Sequence, residues 1–279
     1  MNFCNKPTFM PEGPSIVILK EAVKAFKGKK LLAIAGNTKI ELPDLVGQPV
    51  KDFKSWGKHF LICFPKHSIR IHFMLFGSYR INEKKESPER LSLQFPNGEL
   101  NFYACSVKLL DDDPNKIYDW TADVMNRSWN PRKARIKLKK VPKTMVCDAL
   151  LDQSIFSGVG NIIKNEVLFR IRVHPETRIG KIPSNKLSAL VKEARDYSFD
   201  FLEWKKAFVL KRHWLIHTKK TCPRCDLPAI KKYTGKTKRR SFFCTNCQIL
   251  YRGARNSLLK KEGPKRVKRV ITSPKRKPS

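Results

Sequence analysis

The spacing of apolar residues in the first part of the chain changes from a helical period to short runs. Between residues 14 and 27 they fall at Ile16, Leu19, Val23 and Phe26, and Gly28 follows as a helix-ending residue. The later runs are separated by turn-forming residues, which predicts β-strands at 31–34, 59–64, 69–76, 91–95 and 100–110. Many short strands at this spacing predict a β-sandwich preceded by a helix.

The pattern becomes helical after Asn130-Pro131. Helices are predicted at 144–153 and 161–171, with the sequence Ser-Gly-Val-Gly at 157–160 as a turn between them. A third amphipathic helix is predicted at 184–204. The fold class is therefore a multidomain α+β protein with a helix-turn-helix shape in its second half.

Four cysteines occur as two Cys-x-x-Cys pairs, Cys222 with Cys225 and Cys244 with Cys247, and eighteen residues separate the pairs. This spacing is typical of a structural zinc site in which four thiolates leave no open coordination position. Between the pairs we predict a β-hairpin carrying Arg239 and Arg240. The remaining cysteines have apolar neighbours and are predicted to be buried thiols; they are Cys4, Cys63, Cys105 and Cys147.

The charge balance indicates a polyanionic partner, since 58 basic residues oppose 24 acidic ones and give a formal charge of +34. Nucleic acid is the first candidate. A spanning membrane segment is disfavoured because no apolar run approaches about 20 residues. No signal peptide is predicted, which favours the cytoplasm or bacterial nucleoid, or the nucleus of a eukaryote. Residues 253–279 hold ten Lys or Arg and one acid, and are predicted to be a disordered basic tail.

The motif Met10-Pro11-Glu12-Gly13-Pro14 carries the candidate chemistry. If translation begins at Met10 and this Met is removed, Pro11 becomes a secondary amine that titrates near pH 8 and can act as a nucleophile. We therefore expect residues 1–10 to be an extension that is absent or removed, because an amide nitrogen cannot form an imine.

Together, these residues resemble the family of formamidopyrimidine-DNA glycosylase and endonuclease VIII, and the resemblance runs from about Met10 to Arg252. The opening is closer to the endonuclease VIII branch, since the purine-directed branch usually carries Leu where Gly13 stands. The resemblance implies a bifunctional DNA glycosylase and abasic-site lyase of base excision repair. It would remove oxidised bases, with pyrimidines favoured, through a Schiff base on proline and β,δ-elimination.

The resemblance also implies roles for single residues. Pro11 would be the nucleophile, Glu12 would transfer protons and Lys58 would contact phosphate near the reacting sugar, so these three are the predicted catalytic residues. Glu166 would act structurally or support the site. The predicted DNA-binding residues are Asn161, Arg239, Arg240 and an intercalating wedge of Met74, Leu75 and Phe76. The exposed N–H groups at the start of the helix after Gly160 are predicted to receive a DNA phosphate, whereas His59 is predicted to be a packing or solvent residue.

The implied partner is double-stranded DNA containing oxidised bases or abasic sites, bound by a monomer. The predicted organisation is an extension at 1–10, a catalytic domain at 11–128, a helix–two-turn–helix domain at 129–217, a zinc finger at 218–252 and the tail at 253–279. A non-catalytic damaged-DNA-binding protein of the same fold is the alternative, and it needs no free Pro11. A zinc-ribbon RNA or ribosome-associated factor would explain the tail but not the front motif.

Overall fold

The structure is a computed structural model that describes residues 11–41 and 45–252. The predicted extension, Cys4 and the basic tail lie outside the described residues. Six α-helices, four short 3₁₀-helices and eight β-strands make up the regular structure of the described part. The helices are α1 (Gly13–Ala22), α2 (Pro114–Ile117), α3 (Pro131–Lys139), α4 (Val146–Leu151), α5 (Asn161–Arg170) and α6 (Ser184–Lys206). Among the helices described, none is both long and apolar enough to cross a membrane.

The strands of the first half form a single antiparallel sheet in the order β1-β5-β6-β4-β3-β2. They are β1 (Ala33–Ala35), β2 (Asp52–Trp56), β3 (His59–Cys63), β4 (Ser68–Ile81), β5 (Leu91–Phe95) and β6 (Gly98–Leu110). The long strands β4 and β6 pair along two stretches separated by an irregularity between Phe73 and Ser78. One stretch continues into β3 and β2, and the other continues into β5 and β1.

The two halves of this sheet enclose one apolar core, which confirms the predicted sandwich. Phe60 on β3 and Phe102 on β6 are not register partners, yet their ring centroids lie 6.0 Å apart across the core. Ile16 and Leu19 of α1 are buried in the same core, so the helix that follows Pro11 is fixed to the sandwich.

Three details of the sheet differ from the prediction. Strand β4 continues to Ile81, whereas the predicted strand ended at residue 76. The first strand is Ala33–Ala35 rather than 31–34, and β2 is a strand that the sequence pattern did not reveal. In β2 only Phe53 and Ser55 are buried, so its alternation includes a serine and gives a weak apolar signal.

The second half contains the predicted helices, with slightly shorter limits for the first two. Helices α3 to α6 share one core, and the apolar face predicted for α6 is buried in it. After them, β7 (Ile230–Thr234) and β8 (Arg239–Phe243) pair as an antiparallel hairpin. Phe242 of this hairpin packs with Phe169 of α5 and with Ile216, which docks the hairpin on the helices.

Candidate active site and DNA interface

Three glycines bring the start of α1, the β2–β3 turn and the turn before α5 into contact. The Gly13 N–H donates to the Gly158 carbonyl at 2.8 Å, and a Cβ on Gly13 would lie 2.9 Å from the Gly158 Cα. Gly57 has φ 53°, and a Cβ there would lie 2.0 Å from the Ser157 Oγ. This close backbone approach excludes side chains and places Pro11, Lys58 and α5 around one point.

A cavity of about 410 Å³ lies at this point. Seven of the predicted site residues line it: Pro11, Glu12, Lys58, Met74, Leu75, Asn161 and Arg239. Phe76, Arg240 and Glu166 are not among its lining residues. The cavity is also lined by residues that sequence reasoning did not assign to the site, including Trp56, His72, Gln153 and Thr237.

Glu12 is the buried acid of the cavity, with 1% of its surface exposed. Its carboxylate accepts hydrogen bonds from the backbone N–H groups of Gly160 (3.1 Å), Ile162 (2.7 Å) and Ile163 (3.2 Å). Burial raises the pKa of Glu12, while the nearby Lys58 ammonium and these three N–H groups oppose the rise. The acid is therefore held in a fixed position, with its protonated form favoured relative to an exposed glutamate.

This contact corrects one prediction. The N–H groups at the start of α5 were expected to receive a DNA phosphate, but Glu12 of the protein itself already accepts them. A Cβ on Gly160 would lie 2.3 Å from the Glu12 Cδ, so the glycine makes room for the acid and not for a phosphate. The sequence could not reveal this, because the two residues lie far apart along the chain.

Asn161, the first residue of α5, still faces the cavity through its side chain. Its Oδ1 is buried and has no hydrogen-bond partner among the described residues. Buried polar atoms are nearly always hydrogen-bonded, so this acceptor marks a place for a ligand donor, whereas a phosphate could be bound only through the Asn161 Nδ2.

Lys58 follows Gly57 in the β2–β3 turn and is half-buried. Burial lowers the pKa of Lys58, the Glu12 carboxylate opposes this, and Arg239 adds to the lowering. The Lys58 carbonyl accepts a hydrogen bond from the Nδ1 of His72 at 3.2 Å. The turn therefore fixes the position of Lys58, and the Lys58 ammonium interacts electrostatically with the Glu12 carboxylate.

Asp123 supports this turn and was missed by sequence reasoning. It is buried, and its carboxylate accepts the N–H of Gly57 at 3.0 Å and the N–H of Met125 at 2.9 Å. Burial raises the pKa of Asp123 to about 6. The only available signal was an acid between apolar residues, which does not indicate the partner on a distant turn.

His59, next to Lys58, lines the cavity and is half-buried. Its Nδ1 lies 3.1 Å from the Tyr118 hydroxyl, and its ring packs edge-on against that of His72. Burial lowers the pKa of His59 to about 3, with Arg70 and His72 contributing, so the ring is neutral near pH 7.

Met74, Leu75 and Phe76 lie in the irregular stretch of β4, where pairing with β6 is interrupted. Their exposed fractions are 56%, 51% and 65%, so they are not part of the sandwich core. Three adjacent exposed apolar side chains beside a cavity are available to insert between bases.

The two arginines of the hairpin have different positions. Arg239 lines the cavity, whereas the Arg240 Nε donates to the Tyr233 hydroxyl at 3.0 Å. The buried Lys164 of α5 fixes this strand by donating to the Arg240 carbonyl (3.1 Å) and the Ser241 Oγ (2.9 Å). The structure therefore places Arg239 at the cavity and Arg240 outside its lining, a difference that the chemistry of two arginines could not predict.

Two acids hold the hairpin and the segment that precedes it. Asp148 of α4 accepts the N–H groups of Lys236 (2.8 Å) and Thr237 (3.1 Å) at the hairpin turn. Glu166 of α5 is fully buried and accepts three backbone N–H groups, from Leu215 (2.9 Å), Ile216 (2.9 Å) and His217 (2.8 Å). Glu166 therefore contacts the chain that leads to the cysteine cluster and does not contact the cavity.

The four predicted metal ligands lie together. The sulfurs of Cys222 and Cys247 are 3.8 Å apart, those of Cys225 and Cys244 are 3.5 Å apart, and all four lie within 4.8 Å of one another. Four sulfurs about 2.3 Å from a central zinc at tetrahedral angles would lie about 3.8 Å apart. The cluster fits a four-thiolate zinc ion, and the ion itself stays a prediction. The other described cysteines, Cys63, Cys105 and Cys147, are buried as predicted.

Comparison with known protein families agrees with this arrangement. Residues 10–105 match the formamidopyrimidine-DNA glycosylase N-terminal domain, and residues 121–203 match the formamidopyrimidine-DNA glycosylase H2TH domain. The chain belongs to the formamidopyrimidine-DNA glycosylase and endonuclease VIII family. The two matched regions carry the front motif and helix α5, respectively.

Individual members of this family show the same relationship. Endonuclease 8-like 3 of Xenopus laevis is 30% identical over 221 residues, covering 75% of this chain and 36% of that protein. The DNA-(apurinic or apyrimidinic site) lyase Nei2 of Mycolicibacterium smegmatis is 28% identical over 198 residues, covering 67% of this chain and 76% of that protein. The chain spans about a third of the length of the endonuclease 8-like 3 proteins that it matches.

Solved structures share the fold. The crystal structure of Lactococcus lactis formamidopyrimidine-DNA glycosylase, non-covalently bound to DNA containing an abasic site, has a TM-score of 0.75 at 19% identity. The match covers 85% of this chain and 99% of that one. The predicted architecture of sandwich, helical domain and cysteine-bearing hairpin is therefore that of the family.

Proposed function

We propose that the chain is a bifunctional DNA glycosylase and abasic-site lyase of base excision repair, acting as a monomer on double-stranded DNA with oxidised bases or abasic sites. The observation that carries the proposal is the convergence of Pro11, Glu12 and Lys58 on one cavity that Asn161 and Arg239 also line. These residues come from four separate parts of the chain, and packing alone would not bring Glu12, Lys58, Asn161 and Arg239, which are all polar or charged, to one cavity. Preference for oxidised pyrimidines rests on the resemblance at Gly13.

The reaction begins with the nitrogen of a free N-terminal Pro11. It attacks C1′ of a nucleotide turned out of the duplex, since C1′ is not open to attack within the stack. The bond from C1′ to the base breaks, and the base leaves with the electron pair and takes up a proton. The Pro11 nitrogen, now bonded to C1′, releases its own proton and regains a lone pair. The C1′–O4′ bond then opens as the nitrogen lone pair forms an iminium, and O4′ receives a proton from Glu12.

The iminium withdraws electrons from the sugar and acidifies the hydrogen on C2′. Loss of that proton breaks the bond from C3′ to its oxygen, and a second elimination breaks the bond from C5′ to its oxygen, which cuts the strand on both sides. Glu12 suits the proton transfers because burial raises its pKa while three N–H groups fix its position. Lys58 and Arg239 would neutralise phosphates beside the reacting sugar.

The remaining residues bind and support the DNA. Asn161 would donate to a backbone phosphate, and the wedge of Met74, Leu75 and Phe76 would fill the space left by the extruded nucleotide. Zinc held by the four cysteines would keep the hairpin rigid, so that Arg239 stays at the cavity.

Borohydride trapping tests the proposal. Protein verified by mass spectrometry to begin at Pro11 should form a reduced covalent adduct with a duplex containing an abasic site or thymine glycol. The matched control is the chain beginning at Met1, in which the Pro11 nitrogen is an amide and no Pro11 adduct should form. Pro11→Gly should trap more weakly, because a primary amine remains.

Absence of an adduct with protein that begins at Pro11 and binds the duplex would reject the lyase. It would support the non-catalytic damaged-DNA-binding protein instead. Glycosylase rates on thymine glycol and 8-oxoguanine duplexes test the pyrimidine preference separately.

A further inference from the structure

A second cavity, of about 510 Å³, lies between α3 and α6 and shares no lining residue with the catalytic cavity. Its apolar floor is formed by the half-buried Trp129 and the buried Val191, and the exposed Pro131 also lines it. Its rim carries four cations, Arg132, Arg135, Lys192 and Arg195, and one acid, Asp196. Asp196 pairs with Lys192, so the rim keeps a net charge of three positive groups. We call this feature the α3–α6 groove.

Two of the rim cations are held in place by other parts of the protein. The Arg135 guanidinium donates to the hydroxyls of Ser188 (2.8 Å) and Ser184 (2.7 Å) on α6. The Arg195 guanidinium donates to the carbonyls of Val124 and Asn126, both at 2.9 Å. Fixed cations lose little side-chain freedom when an anion binds, so these two are preorganised for a negatively charged ligand.

The groove is distant from the catalytic cavity along α6. Lys205, near the other end of that helix, donates to the Ser15 Oγ beside the front motif at 2.6 Å. Lys205 follows Asp196 by nine residues, which corresponds to about 14 Å along a helix. A ligand in the groove would therefore leave the lesion site open.

We propose that the α3–α6 groove binds an acidic peptide segment of a partner protein, with an apolar side chain of that segment inserted over Trp129 and Val191. The cationic rim requires negative charge, and the apolar floor requires an apolar group between the charges. The fixed arginines of the rim would bind the carboxylates of such a segment, and the floor would bind its apolar side chain.

Other occupants fit less well. Residues 253–279 of this chain carry ten basic residues, and a second copy carries a formal charge of +34, so the rim would repel both. A DNA backbone would supply phosphates but nothing apolar for the floor.

The test is fluorescence anisotropy with the full chain and a short labelled peptide of Asp and Glu carrying adjacent central Trp and Leu residues. A second peptide has Ser in place of those two. At about 150 mM salt, where long-range attraction is screened, the apolar peptide should bind about tenfold more tightly, the ratio expected for burying one apolar side chain.

The double variant Arg132→Glu/Lys192→Glu changes two exposed rim cations and should weaken binding of the apolar peptide at least about tenfold. The matched control Lys29→Glu/Lys30→Glu has the same change of charge at exposed positions of the sandwich domain, and should weaken it less than about twofold. Circular dichroism should show that both variants are folded.

Equal binding of the two peptides, or equal loss in the two variants, would overturn the proposal. So would a groove variant that loses affinity for undamaged duplex about tenfold while the control does not, because the groove would then be a nucleic-acid surface. None of these measurements depends on trapping at Pro11, so failure here is distinct from failure of the proposed lyase.

Discussion

Glu166→Gln tests whether the acid of α5 holds the segment before the cysteine cluster. The Glu166 carboxylate accepts three backbone N–H groups in a fully buried position. Glutamine keeps one oxygen, which can serve the Ile216 and His217 donors that now share Oε1. Its amide group would then face the Leu215 N–H, donor against donor.

The magnitude follows from those three bonds. Losing one charge-assisted hydrogen bond and leaving its partly buried donor unpaired should cost about 1–3 kcal/mol of unfolding free energy. Glu193→Gln is the matched control, because it removes the same charge from the same helical domain. Glu193 is 3.7 Å from Arg170 and 26% exposed, so its loss should cost about 0–1 kcal/mol.

Urea unfolding followed by far-ultraviolet circular dichroism measures the difference between the two variants. Hydrogen exchange followed by mass spectrometry should show faster exchange in the peptide containing residues 214–217 in Glu166→Gln alone. Surface substitutions usually change stability by less than about 0.5 kcal/mol. If the unfolding free energies of Glu166→Gln and Glu193→Gln agree within that margin, and hydrogen exchange is unchanged, the three hydrogen bonds do not hold this segment.

Three further predictions concern the cavity and the metal. Glu12→Gln should lower the rate of base removal at least about 100-fold, the usual contribution of acid–base catalysis, with little loss of duplex affinity; equal losses in both would contradict its role in proton transfer. Gly57→Ala should lower stability and lyase activity, because a Cβ there would meet Ser157 and the Gly158 nitrogen. The control Gly28→Ala is also at positive φ but has open space around it, so it should cost only the left-handed strain of about 1–2 kcal/mol. Equal losses of unfolding free energy in urea would reject the packing argument. Cys244→Ser should lose the metal and DNA affinity together while the sandwich stays folded. The control Cys63→Ser should keep one zinc per chain by elemental analysis. Iron–sulfur absorbance, or no metal in the wild-type chain, would contradict the zinc assignment.

The sequence alone determined the elements whose signal is local. The helical period around Ile16 and Leu19, the strand runs and the amphipathic face of α6 each reflect neighbouring residues that share one environment. The spacing of the four cysteines likewise predicted that their sulfurs would lie together, because each Cys-x-x-Cys pair fixes its own geometry. β2 was missed because only Phe53 and Trp56 in it are apolar.

Only the tertiary structure decided which polar groups face one another. The contact of Glu12 with the start of α5, the bond of Asp123 to the Gly57 turn, and the separation of Arg239 from Arg240 all depend on residues distant in sequence. A hydrogen bond across such a distance leaves no periodic signal at either end, since each residue alone is compatible with several partners. The glycines that permit the close approach are visible in the sequence, but the backbone that they approach is not.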